Sequence, residues 1–331
     1  MQTIAVDVMG GDKAPGEIAK GVFMAVQRYP VRIALIGPKE VLNYQFEKNG
    51  FTGNNVFPVE ASQVVEMGES PTDAYREKPN SSIAVGVKMV GTGEADAFIS
   101  AGNTGALVAT SLLGLGTLPG IDRPALATLY STTPGSLALF LDIGANADCR
   151  PPFLVQFAQL GSDYMTKVFK VKSPRVGLLS NGGEEGKGNR LTKETHRLLK
   201  NTPGINFIGD VEGFDFFSGA ADVVVTDGFT GNVVLKLAEA LTTSIFTSLK
   251  EALGSNPLAM ASKFMWAPPI KSVVKQWDYS SIGGAPLLGV KGTIVKAHGR
   301  SDAQDLKNAI ALAQRMVHEG WGVSPAAAPF S

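Results

Sequence analysis

The chain has 331 residues, 30 basic against 30 acidic side chains, and 44% hydrophobic residues. That length can bury a large core, read here as a single α/β domain over 1–331, and the neutral balance supplies no field for nucleic acid. A single cysteine, Cys149, excludes a disulfide framework and a cysteine-rich zinc site and fits a reducing cytosol. In chain order, residues 4–8 form a β-branched run passing into Met9-Gly10-Gly11-Asp12, a strand ending in a glycine turn. Asp7 inside that run, with no basic leader before it, argues against a signal peptide. Residues 14–28 read as a helix with Pro15 in its first turn, 31–36 as a strand, 39–49 as a helix and 56–59 as another strand. Buried strands alternating with helices predict a three-layer αβα arrangement around a mostly parallel sheet. Ligands bind such folds beyond the carboxyl ends of the strands.

Residues 66–82 interrupt the alternation with Gly68, Pro71, Pro79 and charges of both signs. They read as a long polar loop that places Lys78 just before a helix over 83–90. A short strand over 97–99 then runs into Ser100-Ala101-Gly102-Asn103-Thr104-Gly105-Ala106 and a helix. A helix start leaves unpaired N–H groups and a partial positive charge. Ser100, Asn103 and Thr104 add side-chain donors there, and the glycines admit a ligand to the backbone. No charged side chain occurs between Asp96 and Asp122, but the polar and proline positions within this run fit a buried strand, loop and helix better than a membrane span.

Residues 126–130 and 137–142 read as two strands joined by a turn, with Arg123 just before the first. Asp142-Ile143-Gly144-Ala145-Asn146 repeats the polar strand end. Helices over 153–169 and 192–199 enclose a strand over 176–179 and a flexible glycine loop over 180–189; a strand over 205–208 follows. Strand 223–225 ends in Thr226-Asp227-Gly228-Phe229-Thr230-Gly231-Asn232, before a long apolar helix from about Val233. The strand over 292–297, the polar His298-Gly299-Arg300-Ser301-Asp302 and a helix over 303–319 close the order.

Segment 254–280 departs from this pattern and reads as a protruding helical element. Within 254–277 it holds Lys263, Lys271 and Lys275 without an acid, among Met260, Phe264, Met265, Trp266, Trp277 and other apolar residues. Pro268-Pro269 divides it into halves too short to cross a bilayer. Apolar residues beside lysines suit an anionic lipid surface.

Several chemistries find no motif. No window gives G-x-G-x-x-G, a P-loop, H-E-x-x-H or G-x-S-x-G, and the three histidines are too scattered for a metal site. Cys149 has no pattern of a nucleophile around it and reads as an inert small residue. What recurs is the polar strand end. Asp7/Asp12, Ser100/Asn103/Thr104, Asp142/Asn146, Asp227/Thr230/Asn232 and His298/Ser301 are expected to converge on one edge of the sheet, in a cleft rich in donors. Phosphate is the anion that such donors hold without many arginines.

These motifs, in this order, resemble the bacterial phosphate acyltransferases of phospholipid synthesis over essentially the full length. The carrying residues are Ala5-Val6-Asp7-Val8-Met9-Gly10-Gly11-Asp12, Lys78-Pro79 with Ser81-Ser82, Ser100 to Ala106, Asp142 to Asn146, Thr226 to Asn232 and Ala297-His298-Gly299. The turns at Ser100 and Thr230 also look similar to those of phosphate acetyltransferases, which share a fold with the isocitrate and isopropylmalate dehydrogenases. The resemblance implies transfer of a fatty acyl group from acyl carrier protein to orthophosphate. It implies neither a cofactor nor a metal, and a homodimer in the cytoplasm, touching the inner face of the membrane through 254–277.

Phosphate is then expected on Ser100, Asn103, Thr104, Thr230, Gly231 and Asn232, with Arg123 or Lys78 adding charge. His298, Asp227 and Lys78 are the candidate catalytic groups, with His298 protonating the leaving thiolate. Asp7, Asp12, Asp142 and Asn146 are expected to line the cleft. The nine basic residues of 167–200 are the expected dock for an acidic carrier protein. The alternative is a metal-dependent dehydrogenase of the isocitrate and isopropylmalate type. It would use these aspartates for magnesium and would need an arginine cluster that the loops do not contain.

Overall fold

The computed structural model describes residues 1–51, 54–132, 136–254 and 282–322, the side chains of 246, 250 and 252–254 aside. The expected protruding segment 254–280 therefore lies almost wholly outside the described residues. The first half of the chain supplies β1 (Gln2–Asp7), α1 (Gly16–Val26), β2 (Val31–Gly37), α2 (Lys39–Asn49), β3 (Val56–Glu60), α3 (Pro71–Glu77), α4 (Ser82–Thr92), β4 (Ala97–Ser100), α5 (Thr104–Leu115), β5 (Ala125–Ser131) and β6 (Leu137–Leu141). The second supplies α6 (Pro151–Phe169), β7 (Arg175–Leu179), α7 (Arg190–Lys200), β8 (Asn206–Val211), α8 (Gly213–Ser218), β9 (Val223–Val225), α9 (Gly228–Gly254), β10 (Ala285–Leu288), β11 (Thr293–Lys296) and α10 (Ala303–His318).

Strand alternation sends successive side chains to opposite faces of the sheet, and each face is covered by helices. Ile4, Val6, Ile33, Leu35, Leu139, Leu141 and Val223 pack under Ile18 of α1, Phe157 of α6 and Ile310 of α10. The intervening Ala5, Ala34, Phe98, Phe140 and Val224 pack under Ile83 and Val87 of α4, Leu107 of α5 and Phe216 of α8. The three-layer αβα fold is thus built as the alternation predicts.

The sheet has 11 strands in the order β3-β2-β1-β4-β11-β10-β5-β6-β9-β7-β8. β3, β2, β1, β4 and β11 form one parallel block, and β6, β9, β7 and β8 another. The strand pairs β11–β10, β10–β5 and β5–β6 are antiparallel. Three reversals leave the two parallel blocks pointing in opposite directions. The expectation that all five polar strand ends share one edge is corrected by this topology. Those of β1, β4 and β11 share one, and those of β6 and β9 belong to the opposed block.

Three elements escape the periodicity. β10 is only four residues long and carries Pro286, which pairs with Val295; a proline inside a short run hides a strand. α3 sits inside the expected polar loop, begun by Pro71 at its first position. α8 is short and aromatic and is closed by a reciprocal cap between Glu212 and Asp215. α9 begins at Gly228, five residues before the expected Val233.

β4 is pressed against α4 at Gly86, where an added Cβ would sit 2.1 Å from the Phe98 ring. Alanine for glycine within a helix gains about 1 kcal/mol of propensity, whereas overpacking a filled core costs about 1–3 kcal/mol. Steric cost prevails for a ring that is fully buried. Gly86→Ala is expected to lower stability by up to about 2 kcal/mol net in urea denaturation; an unchanged midpoint would show that Phe98 can yield.

Candidate active site

Asp7 ends β1 almost fully buried and accepts from the Met9 N–H at 3.0 Å and the Ser100 hydroxyl at 2.7 Å. Burial pushes its carboxyl above the ordinary range; the Ser82 and Ser100 hydroxyls, the Met9 amide and the Lys296 charge oppose that rise. The strand end of β1 lies against that of β4. A Cβ on Gly10 would stand 2.6 Å from the Gly102 nitrogen, so only glycine permits the approach. Ser100 is spent on Asp7 and on the Gly102 N–H. Asn103 caps α5 by accepting from Ala106, and its amide donates to the Glu66, Met67 and Glu69 carbonyls. Lys78 donates to the Val64 carbonyl and pairs with Glu69. Asn103 and Lys78 therefore hold the 64–69 loop in place, with Met67 facing the cleft.

The opposed block is organised by a second buried carboxylate. Asp142, fully buried just after β6, accepts from the Leu126, Gly144, Ala145 and Asn146 N–H groups and from the Asn146 amide, all within 3.1 Å. Burial raises its carboxyl, and these donors pull it back. Asn146 also donates to the Pro124 carbonyl. Gly231 at the start of α9 packs on Asp142 so closely that a Cβ would fall 1.8 Å from its carbonyl oxygen. The first turn of α9 is already occupied. Asp227 accepts from the Thr230 N–H and hydroxyl, the Gly231 N–H goes to the Asp227 carbonyl, and the Gly228 N–H to Asn146. Asp227 and Thr230 thus act as a helix cap here.

Between the blocks lies a cleft of about 630 Å³. One wall carries Asp12, Thr104, Lys296, His298 and Arg300; the other is α9, with Asn232, Leu235, Lys236 and Glu239; Leu126, Ile143 and Ala285 also line it. Of the residues that the sequence singles out, the cleft gathers Asp12, Thr104, Asn232 and His298. Asp7, Ser100, Asn103, Asp142, Asn146, Asp227, Thr230 and Gly231 support it from behind, while Lys78 and the exposed Arg123 are not among its lining. Thr104 and Asn232 are unlike their neighbours: among the described residues, no hydrogen bond takes up the Thr104 hydroxyl or the Asn232 amide.

His298 accepts at Nδ1 from the Arg300 N–H at 3.1 Å, which leaves the proton of the neutral ring on Nε2, 3.6 Å from Glu239. Burial holds its pKa below the ordinary value, and the Glu239 charge opposes the drop. Lys296, Lys236, Glu239 and Arg300 line the cleft without having been singled out by sequence. The available signal was a lysine closing the β-branched run Thr293-Ile294-Val295. Cys149 has its thiol pushed up to about 12 by burial, consistent with an inert residue. The four aspartates are divided between the two walls, and among the described residues no three His, Cys, Asp or Glu side chains gather as a metal site.

This architecture is that of the phosphotransacetylases. A phosphotransacetylase from Streptococcus pyogenes superposes with a TM-score of 0.65 at 17% identity, covering 96% of this chain and 94% of that one. A 4-hydroxythreonine-4-phosphate dehydrogenase from Klebsiella pneumoniae shares the fold at a TM-score of 0.53 and 12% identity, covering 95% and 98%. Sequence then decides between the chemistries that the fold supports. The chain belongs to the fatty acid synthesis protein family, whose model matches residues 2–323. A phosphate acyltransferase from Dictyoglomus thermophilum is 45% identical over 314 residues, 95% of this chain and 94% of that protein. The chain is accordingly an acyltransferase with phosphate as acceptor, as the motifs imply.

The Asp142 loop gives a direct test. Asparagine in its place would turn one acceptor oxygen into a donor facing the Asn146 donors, and an unmade buried hydrogen bond costs about 1–3 kcal/mol. Asp142→Asn is expected to lose about 2–3 kcal/mol of stability in chemical denaturation; a change below about 0.5 kcal/mol would show that the carboxylate does not organise this loop.

Proposed function

We propose that the cleft transfers a fatty acyl group from the thioester of acyl carrier protein to orthophosphate. A phosphate oxygen attacks the thioester carbonyl. The new C–O bond forms as the C–S bond breaks, and acyl phosphate leaves with the thiol of the carrier. No protein nucleophile takes part, so the rate comes from positioning and from donors placed where charge develops. The observation that carries this reading is the pair of unspent donors, Thr104 and Asn232, facing each other across a cleft that also holds buried cationic charge. Phosphate is placed between them, over the start of α5. The first turn of α9 contributes through Asn232, since Thr230 and Gly231 are engaged in its cap. His298, through Nε2, is placed to hand a proton to the leaving thiolate.

The donor protein would dock on α7. Arg190, Lys193, Arg197 and Lys200 are exposed along it, with Arg190 paired to Glu194 and Lys200 to Glu185. Lys170 and Arg175 are paired to Glu319 and Asp222, so the basic face is narrower than 167–200 suggests. Two further associations belong to this reading. Phe229, Val233, Leu237, Leu241 and Ile245 form an exposed row at four-residue spacing along α9, which supports a homodimer. No helix among the described residues is long and apolar enough to cross a membrane. The lysine-bearing apolar composition of 254–277 supports a peripheral hold on the inner leaflet.

Formation of acyl phosphate from acyl-acyl-carrier-protein and orthophosphate, without nicotinamide, is the deciding assay; it also separates this activity from the dehydrogenase alternative. Thr104→Ala and Asn232→Ala are each expected to raise the KM for phosphate by about 10- to 150-fold, a lost anion contact of about 1.5–3 kcal/mol. An unchanged KM in both would remove phosphate from this position. Varying the carrier in the same assay, Arg190→Glu with Lys193→Glu should raise its KM, most at low salt; no rise would move the dock elsewhere. For the membrane, Met260→Glu with Phe264→Glu should abolish flotation with anionic liposomes while the protein stays dimeric. A dimeric variant that still floats would show that 254–277 is not the anchor.

A further inference from the structure

We propose that Lys296 is the phosphate-binding cation of the cleft, the ammonium that meets the anion between the start of α5 and Asn232. The inference rests on phosphate being a substrate of this site. Lys296 closes β11 and is 7% exposed, the one buried lysine or arginine among the described residues. Its position at the end of the strand makes it part of the cleft wall beside His298 and across from α9. An ammonium has three donors. Two go to the carbonyls of Ala101, at 3.2 Å, and Ala297. The third has no acceptor among the described residues, and no carboxylate there forms an ion pair with the nitrogen.

A buried charge is costly and persists where something compensates it. The two carbonyls and the more distant Asp7 and Asp12 do so in part. A phosphate oxygen on the remaining N–H would complete the set, and the bond to Ala101 joins the lysine to the loop that opens α5. The rival cations fit less well. Lys236 and Arg300 line the cleft but are exposed, so water screens them. Lys78 is paired with Glu69, and Arg123 is not among the lining residues. His298 has its pKa held low by burial, which leaves the ring uncharged near neutrality.

Burial also lowers the ammonium of Lys296 to about 8, against the raising effect of Asp7 and Asp12. The charged groups around it are Asp7 and Asp12 on the β1 side, His298 and Arg300 beyond β11, and Lys236 and Glu239 on α9. The neighbouring β4 and β10 contribute no titratable side chain. The sign follows directly. Below pH 8 the lysine is charged and phosphate binds; as pH rises through its pKa the charge is lost and binding weakens by about tenfold per pH unit.

The test uses inorganic phosphate as the probe on the full-length protein. In Lys296→Met, the KM for phosphate should rise by about 10-fold or more, and phosphate should no longer raise Tm. The KM for the acyl carrier should stay within about twofold, a split that a general structural defect would not give. In Lys296→Arg, phosphate should still raise Tm. The loss of phosphate affinity expected of the parent above pH 8 should disappear up to about pH 9.5, because arginine does not titrate there. An unchanged phosphate KM in Lys296→Met, or a parent KM that is flat between pH 7 and about 9.5, overturns the proposal. Should Lys296→Met fail to fold, the Lys296→Arg profile decides alone. Should the parent form no acyl phosphate, the proposed reaction fails, and the phosphate-dependent Tm of parent against Lys296→Arg and Lys296→Met still decides the lysine.

Discussion

Two buried carboxylates govern the shape of the cleft. Asp7 closes β1 and Asp142 directly follows β6, one in each parallel block, and each is withdrawn from water. A carboxylate in that position is tolerated only when its lone pairs are filled. The polypeptide fills them with its own loops: Met9 and Ser100 close around Asp7, and residues 144–146 wrap around Asp142. The loops that follow the strands are thereby held at fixed positions on either side of the central reversal. Glycines at 10 and 231 let the backbones meet without a side chain between them.

Rigid walls of this kind suit a reaction in which the substrates carry the reacting groups. In the proposed transfer orthophosphate is its own nucleophile, and the leaving thiolate needs no covalent help from the protein. What the protein must supply is alignment, charge and the exclusion of competing water. Most polar strand-end residues are consumed in building the walls. A small remainder, Thr104, Asn232, His298 and Lys296, is left facing the space between them. Few donors are therefore left uncommitted, and those that remain suit an anion.

The same fold carries a phosphotransacetylase and a phosphate-substrate dehydrogenase, so architecture alone selects no chemistry. The difference lies in what the strand ends present. Here the four aspartates do not gather: Asp7 and Asp142 are saturated by loop donors in separate blocks, Asp12 lies on the cleft wall and Asp227 caps α9. Family membership, carried across residues 2–323, assigns the acyltransferase chemistry instead.

The layers, the longer helices and the family were legible in the primary sequence, because period-two and period-3.6 burial are local properties and the strand-end motifs are contiguous. α2 spans the very residues that its pattern marks, and β9 does likewise. The direction of the second block was not legible. It turns on β10, four residues around Pro286, whose pairing with β11 and β5 is a contact between distant segments. The division of labour among the polar residues was hidden for the same reason. Lys78 and Asn103 look like ligand groups until the 64–69 loop arrives to take up their donors, and Asp227 looks like an acid until Thr230 closes on it. Lys296 is marked locally only as a lysine closing a strand run, a position that does not tell a buried cation from an exposed one. Only the assembled sheet sets its ammonium beside the loop of α5, because a hydrogen bond across 195 positions leaves no trace in the spacing of the chain.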